Sequence, residues 1–127
     1  MRLAIDDAGL EASDIDYVNA HGTSTQLNDL AETVSLKQVF GDSVPPISST
    51  KSGTGHLLGA AGAAEAIVSV CSITDNKVHA TLNMTEPDPA CDLDYISEGA
   101  RELPVKHVLS NSFGFGGHNA CLVFSEV

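Results

Sequence analysis

The spacing of apolar residues divides the chain into predicted helices and strands. Three segments have the spacing of helices, namely residues 1–8, 29–40 and 56–74. Predicted strands or extended segments are residues 16–20, 44–50, 78–82, 105–110 and 119–125. Residues 83–94 are predicted to form a surface loop because Pro87 and Pro89 bar regular structure. Strands that alternate with helices and end in a strand pair predict one layered α/β domain, residues 1–127, with a mixed sheet.

The third predicted helix, residues 56–74, is almost entirely small or apolar. Glu65 and Ser69 are among its few polar interruptions, while Gly59 and Gly62 allow a neighbouring backbone to approach closely. A helix that is apolar on all sides is normally buried. We therefore expect a central helix that is covered on both sides, and marginal stability for this chain alone, because it does not contain all the covering layers.

Charge and hydropathy narrow the functional classes. The chain has 17 acidic and 6 basic residues and a formal net charge of −11, so nucleic-acid binding is disfavoured. No uninterrupted apolar run reaches the length of a membrane span and no leader sequence opens the chain, so we expect a cytoplasmic or organelle-interior protein that binds no membrane. Because this chain has only 6 basic residues, a docking patch for an acidic partner would have to lie outside this chain.

The sequence gives little support for a catalytic cysteine, a metal site or a nucleotide-binding site. Cys71, Cys91 and Cys121 are widely spaced, fit a reducing compartment and lack the cationic setting of a nucleophile. None of the five histidines pairs with a glutamate in a metal-binding pattern, so no metal site is expected. The glycine-rich segment 53–59 misses the dinucleotide fingerprint by one residue.

The first chemically suggestive motif is Asn-Ala-His-Gly-Thr-Ser-Thr at residues 19–25. It follows a predicted strand, and ligand sites in α/β sheets favour the carboxyl ends of strands. The imidazole of His21 and the nearby hydroxyl groups could donate to a substrate carbonyl. Taken alone, the motif is better interpreted as a hydrogen-bonded turn.

The second motif is residues 48–56, where a strand end meets the predicted start of the apolar helix. Its unpaired N–H groups would favour an anion or oxyanion. Lys51 and His56 at this position favour a functional interpretation. Glu32 has two interpretations that the residues leave open: a capping arrangement with Asp29 at the helix start, or a partner for a buried Lys51.

The third motif is the glycine-rich connection around Phe115. Glycines on both sides of one aromatic suit either a mobile flap or a turn between strands with a core phenylalanine, and by itself the turn is favoured. The remaining histidines, His79, His107 and His118, are interpreted as structural.

In this order, the motifs 19–25, 51–62 and 111–117 resemble the elongating β-ketoacyl synthases of fatty acid and polyketide synthesis, most closely the type II fatty-acid enzymes. The resemblance runs over essentially the whole chain and departs from the common pattern at Gln26, where proline is usual. It implies a thiolase-like fold, of which this chain is most of the second half without its first strand. The nucleophilic cysteine of that family lies in the first half.

The resemblance also implies roles for individual residues. His21 and His56 are expected in the active site, with Lys51 and Glu32 as a supporting charged pair. The substrate-binding residues implied are Thr23 and Thr25 near the phosphopantetheine arm, Phe113, and Phe115 as a gate beside the acyl pocket. Two histidines argue for elongation, because initiating synthases typically have asparagine in the second position.

The implied reaction is decarboxylative condensation of a malonyl thioester with an acyl thioester. It needs no diffusible cofactor, since the substrate is carried on the phosphopantetheine of acyl carrier protein, and the complete enzyme is expected to be a homodimer. By itself this chain is expected to be inactive in condensation. Alternatives are a ketosynthase region of a polyketide synthase, a non-catalytic subunit resembling a chain-length factor, and a stand-alone binding module.

Overall fold

The computed structural model describes all 127 residues. The helices are α1 Arg2–Asp7, α2 Gln26–Phe40, α3 Lys51–Thr54 and α4 Ala61–Asp75. The strands are β1 Tyr17–Asn19, β2 Ile47–Ser48, β3 Lys77–Val78, β4 Arg101–Glu102, β5 His107–Phe113 and β6 Asn119–Ser125. Short 3-10 turns lie at Ala12–Asp14, Leu58–Ala60 and Phe115–Gly117. The predicted helix–strand alternation and the final strand pair are confirmed.

The main sheet is mixed and has the order β2-β1-β5-β6. Strands β2 and β5 run parallel to β1, and β6 runs antiparallel to β5. The carboxyl ends of the three parallel strands therefore meet at one edge. Strands β3 and β4 form a separate antiparallel pair.

Alternating residues of β1 and β5 face two apolar clusters. Val18 and Leu109 face the larger cluster, where α1 and α2 pack, while Tyr17 and Val108 face the smaller one. The larger cluster consists of Ile5, Ile15, Val18, Ala20, Leu36, Phe40, Ile47 and Leu109. The sheet is thus covered by apolar contacts on both faces.

The prediction of a single helix over residues 56–74 is wrong about where the helix begins. Lys51 begins the one-turn helix α3, which ends at Gly55 with φ +72°, a conformation that favours glycine. An irregular segment follows, in which Leu58 also has a positive φ of 53°. Helix α4 begins only at Ala61, so His56 lies in a loop and not at the N-terminus of the long helix.

The burial of α4 also differs from the expectation. Its buried stripe consists of Ala61, Glu65, Ser69 and Ser72, and it faces the sheet. Ile67 and Val70, by contrast, are 66% and 49% exposed. The small and polar face is therefore buried and part of the apolar face is open. By length and composition alone, Leu58–Asp75 could cross a membrane, but the packing of its polar stripe against the sheet is that of a core helix.

Two predicted boundaries are shifted by three residues, since α2 begins at Gln26 and not at residue 29, and β5 ends at Phe113 and not at residue 110. Tertiary contacts account for a third difference. The predicted strand 78–82 is reduced to β3, because Thr81 and Leu82 bond instead to the β2–α3 turn: Thr81 Oγ1 accepts from Ser49 N at 3.3 Å and Leu82 N donates to Ser52 Oγ at 2.9 Å. Strand β4 was not expected from the sequence. The loop over residues 83–94 is confirmed as free of regular structure.

Candidate active site

The carboxyl ends of β1, β2 and β5 bring three motifs together. His21 follows β1, Lys51 follows β2, and Phe113 is the last residue of β5. The ring centroid of His21 lies 5.7 Å from that of His56 and 5.6 Å from that of Phe113. Residues far apart in the sequence therefore share one edge of the sheet.

The hydrogen bonds of both imidazoles define where their protons lie. Lys51 Nζ lies 3.3 Å from His21 Nδ1, and a lysine ammonium only donates. The backbone N–H of Leu58 donates to His56 Nδ1 at 3.1 Å. With both Nδ1 atoms acting as acceptors, each ring carries its proton on Nε2. The site thus has two imidazole N–H donors that these bonds do not use.

His21 is held in its neutral form. Burial, followed by the nearby charge of Lys51 and then by His56, lowers the pKa of His21 to about 4. A neutral ring at physiological pH is an N–H donor that does not give up its proton to the substrate.

The supporting charged pair is Lys51 with Glu65, and the expected pair of Lys51 with Glu32 is wrong. The Lys51 and Glu65 side chains are bonded to each other and are only 4% and 1% exposed. Helix α4 crosses the sheet so that Glu65 meets the start of α3. The polar interruption at Glu65 in an apolar helix was the sequence signal for this role.

Glu32 binds the turn that carries His21. Its Oε1 accepts from the His21 backbone N–H at 3.0 Å and from Asn111 Nδ2 at 3.1 Å, and its Oε2 accepts from Gly22 N at 3.0 Å. Burial raises the pKa of Glu32, although these bonds oppose the rise. Capping of α2 is performed by Thr25, which accepts from Asn28 N at 3.4 Å. Neither interpretation of Glu32 made from the sequence is correct.

The two expected phosphopantetheine-binding threonines differ in position. Thr23 lines a cavity of about 590 Å³ that also reaches Lys51 and His56. Thr25 does not line this cavity and is exposed at the start of α2, 3.3 Å from Thr23 Oγ1 through its hydroxyl. Thr23 therefore shares a cavity with Lys51 and His56, although His21 itself does not line it.

Two phenylalanines occupy contrasting environments. Phe113 packs against the ring of His21. Phe115 is fully exposed in the turn between β5 and β6, beside Gly116 and Gly117 with φ of 72° and 81°. The expectation of a turn between strands is confirmed, but Phe115 is not a core residue.

Metal and thiol chemistry have no obvious centre in the structure. No group of three or more His, Cys, Asp or Glu side chains is placed to hold a metal ion. The three cysteines are free; Cys71 is exposed on α4, and Cys121 Sγ on β6 accepts from the Met1 amino group at 3.3 Å. The chemistry of this edge is therefore that of imidazole donors beside a buried ion pair.

Comparison with known proteins agrees with this arrangement. Residues 1–85 match the family described as beta-ketoacyl synthase, C-terminal domain. Over 99% of its length, the chain is 52% identical to 3-oxoacyl-[acyl-carrier-protein] synthase 2 of Staphylococcus aureus, of which it spans 31%. The structure of a beta-ketoacyl synthase from Burkholderia phymatum superposes with a TM-score of 0.95 at 50% identity, over 100% of this chain and 31% of that one.

A second structural relative is the ishigamide ketosynthase/chain length factor. It superposes with a TM-score of 0.97 at 41% identity, over 99% of this chain and 31% of that one. The chain thus spans about a third of the length of its relatives. The α/β architecture with a mixed sheet is that of the C-terminal half of a thiolase-like ketosynthase. The chain belongs to the β-ketoacyl synthase family, and its residues 1–85 match the C-terminal domain of that family.

Proposed function

We propose that this chain is the part of an elongating β-ketoacyl-acyl-carrier-protein synthase that decarboxylates a malonyl thioester and directs the resulting carbanion. The observation that carries the proposal is the pair of Nε2–H donors on His21 and His56, with ring centroids 5.7 Å apart. The identity of 52% to a 3-oxoacyl-[acyl-carrier-protein] synthase 2 supports it.

The first step breaks the bond between the malonyl α-carbon and its carboxylate. Carbon dioxide leaves and the electron pair forms an enolate on the thioester. Both imidazoles donate hydrogen bonds to the enolate oxygen, and each donor is expected to lower the barrier by about 3 kcal/mol, as in an oxyanion hole. No proton transfer from the rings is required, which agrees with the lowered pKa of His21.

The second step forms the new carbon–carbon bond. The enolate carbon attacks the carbonyl carbon of an acyl thioester, and the thiolate leaves as the β-ketoacyl product forms. The thiol that carries the acyl group is proposed to be none of the three in this chain: Cys71 on α4 and Cys121 on β6 do not line the cavity that reaches His56, and Cys91 lines it from the 83–94 loop. We assign that thiol to the part of the enzyme outside this chain.

The substrate is proposed to arrive on the phosphopantetheine of acyl carrier protein. Thr23 lies in the cavity that reaches Lys51 and His56, and this location supports a contact with the arm. Phe113 is proposed to pack against bound substrate, and Phe115 to act as the gate of the acyl pocket. Homodimerisation, a cytoplasmic location and the absence of a diffusible cofactor remain predictions.

A ketosynthase of polyketide synthesis is the second candidate. The TM-score of 0.97 with the ishigamide ketosynthase/chain length factor favours it. The sequence identity favours the fatty-acid enzyme, because it is 41% to that ketosynthase and 52% to the 3-oxoacyl-[acyl-carrier-protein] synthase 2. A non-catalytic subunit is disfavoured because both histidines and Lys51 are retained with bonded partners.

The test uses the protein encoded by the complete reading frame. Decarboxylation of malonyl-acyl carrier protein and condensation with an acyl thioester are measured for the wild type, His21→Ala, His56→Ala and the control His107→Ala. We expect each site variant to lose about 100-fold in decarboxylation rate and the control to retain it. Unchanged rates in both site variants would refute the proposed function.

A further inference from the structure

His79 is the centre of a polar cluster that joins β1 to β2. Its Nε2 lies 3.1 Å from Tyr17 Oη and 3.1 Å from Thr50 Oγ1, and its Nδ1 lies 3.2 Å from Ser48 Oγ. Tyr17 Oη and Ser48 Oγ are themselves 2.6 Å apart. Tyr17 begins β1, Ser48 ends β2, and Thr50 follows that end, so one imidazole contacts both strands.

The cluster continues from Thr50 toward the candidate active site. Thr50 Oγ1 donates to Asn19 Oδ1 at 3.0 Å, and Asn19 Nδ2 donates to the Glu65 backbone carbonyl at 3.2 Å. Thr50 directly precedes Lys51, and Asn19 is two residues before His21. The same bonds therefore connect the three segments that carry His21, Lys51 and Glu65.

The direction of each bond is fixed by groups that can only accept. The Ala80 carbonyl lies 3.0 Å from His79 Nδ1, so this nitrogen carries a proton. The Asn19 carbonyl takes the hydroxyl proton of Thr50. In a neutral His79, Nε2 then accepts from the Tyr17 hydroxyl, whose oxygen accepts from Ser48. The contact from Nε2 to Thr50 Oγ1 therefore contains no proton, and Thr50 joins the cluster through Asn19. A non-polar ring at position 79 would break this order in a buried region.

We propose that His79 is a positioning residue, which fixes the separation of His21 and Lys51 by joining β1 to β2 through Tyr17 and Ser48. The expected effect of His79 on the reaction rate rests on the proposed function. The expected effect of His79 on the distance between His21 and Lys51 does not rest on it, and this effect can be measured without catalytic turnover.

The reporter of that geometry is the titration of His21. The groups around His21 are Lys51 from α3, His56 from the segment after α3, Phe113 from β5 and the Glu32 carboxylate against its backbone N–H. Burial is the largest cause of the low pKa of His21, and the charge of Lys51, the cation among these groups, is the next. If Lys51 moves away, the midpoint of the His21 titration must rise.

The experiment compares four variants of the protein encoded by the complete reading frame. His79→Phe removes the polar contacts, His79→Gln retains an amide that both donates and accepts, and Thr50→Val removes only the link to Asn19. His107→Phe is the matched control, since His107 bonds Ser125 Oγ at 2.9 Å on the strand pair β5–β6. Ring titration by NMR gives the His21 midpoint, and malonyl-acyl carrier protein decarboxylation gives kcat and KM.

For His79→Phe and Thr50→Val we expect the His21 midpoint to rise from about 4 toward the value of a free imidazole, because part of the shift comes from the charge of Lys51. We expect kcat to fall about tenfold with KM nearly unchanged, because the donor is displaced and not removed. His79→Gln should restore most of both values, and His107→Phe should change neither.

Two results would overturn the proposal. One is an unchanged His21 midpoint in His79→Phe, whatever Thr50→Val shows. The other is a His79→Gln variant as impaired as His79→Phe, which would mean that the shape of the ring matters and its bonds do not. If the wild type fails to decarboxylate the substrate, the proposed function fails, but the NMR titration still decides whether His79 positions the pair.

Discussion

Lys51 contacts His21 on one side and Glu65 on the other, with its Nζ 3.3 Å from His21 Nδ1. One buried ammonium therefore sets the tautomer of a candidate catalytic ring and neutralises a carboxylate on the central helix. The stability of the domain and the state of His21 depend on the same side chain.

We predict that Lys51→Met destabilises the protein by about 3–5 kcal/mol, because Glu65 is left buried without its partner. The double variant Lys51→Met, Glu65→Leu should recover much of this loss. Urea unfolding measures both. The control is Lys37→Met at the exposed pair with Asp92, where a much smaller change is expected. Equal effects at the two lysines would contradict the prediction.

The pKa of His21 predicts how stability depends on pH. Since the pKa is about 4 in the folded protein and about 6.5 in an unfolded chain, the unfolded state binds more protons between these values. The contribution of His21 to stability is therefore present above about pH 6.5 and is lost as the pH falls toward 4. Thermal unfolding of the wild type and His21→Asn should show a weaker pH dependence in the variant. Parallel curves would argue against a lowered pKa.

Gly22 is predicted to tolerate no side chain. A Cβ atom there would lie 2.5 Å from the Ser49 Cβ atom, and the φ of Gly22 is +43°. Gly22→Ala should therefore destabilise the protein by more than Gly41→Ala. Gly41 has a φ of +62° and a ψ of −131° with open space around it, so only a backbone cost of about 1–3 kcal/mol is expected.

Adding Ser49→Gly to Gly22→Ala provides the matched rescue. It removes the atoms that an alanine Cβ would meet, although it also removes the bond from Ser49 Oγ to the Gly22 carbonyl at 2.7 Å. Partial recovery of the unfolding midpoint is expected. If Gly22→Ala and Gly41→Ala lose the same stability, close packing at Gly22 is not the cause.

The exposed apolar face of α4 is predicted to be covered in the complete protein. Ile67→Glu should then lower its stability by about 2–3 kcal/mol, because a charge would be buried in a contact. In the 127-residue chain alone, the same change should reduce aggregation. Thr74→Glu, at an exposed polar position of the same helix, is the control. No destabilisation of the complete protein by Ile67→Glu would show that this face stays in solvent.

Phe115 is predicted to affect turnover more than stability. It is fully exposed, so Phe115→Ala should change the free energy of unfolding by less than about 0.5 kcal/mol. As a gate, it should alter the condensation rate with long acyl thioesters several-fold and leave malonyl decarboxylation nearly unchanged. A loss of stability without a kinetic effect would indicate a structural residue.

Much of the fold was predictable because strands β1, β5 and β6 and helix α2 have clear local patterns. The prediction that α4 is buried on all sides failed, because composition shows how apolar a helix is but not which of its faces packs against the sheet. The buried face holds Glu65 and Ser69: Glu65 Oε1 bonds Lys51 and Ser69 Oγ donates to the Glu65 backbone carbonyl, while Glu65 Oε2 is buried without a hydrogen-bond partner. Such pairing depends on contacts between distant segments, and for the same reason the true partners of Glu32 could not be read from its spacing to Asp29.

The Lys51–Glu65 contact also links folding order to chemistry. Until α4 docks on the sheet, Glu65 does not reach Lys51, and the lysine has no buried partner to hold it beside His21. A partly folded chain would consequently leave His21 free to take up a proton near neutrality and to lose its place beside His56. Under the proposed function, decarboxylation would therefore require α4 to be docked on the sheet.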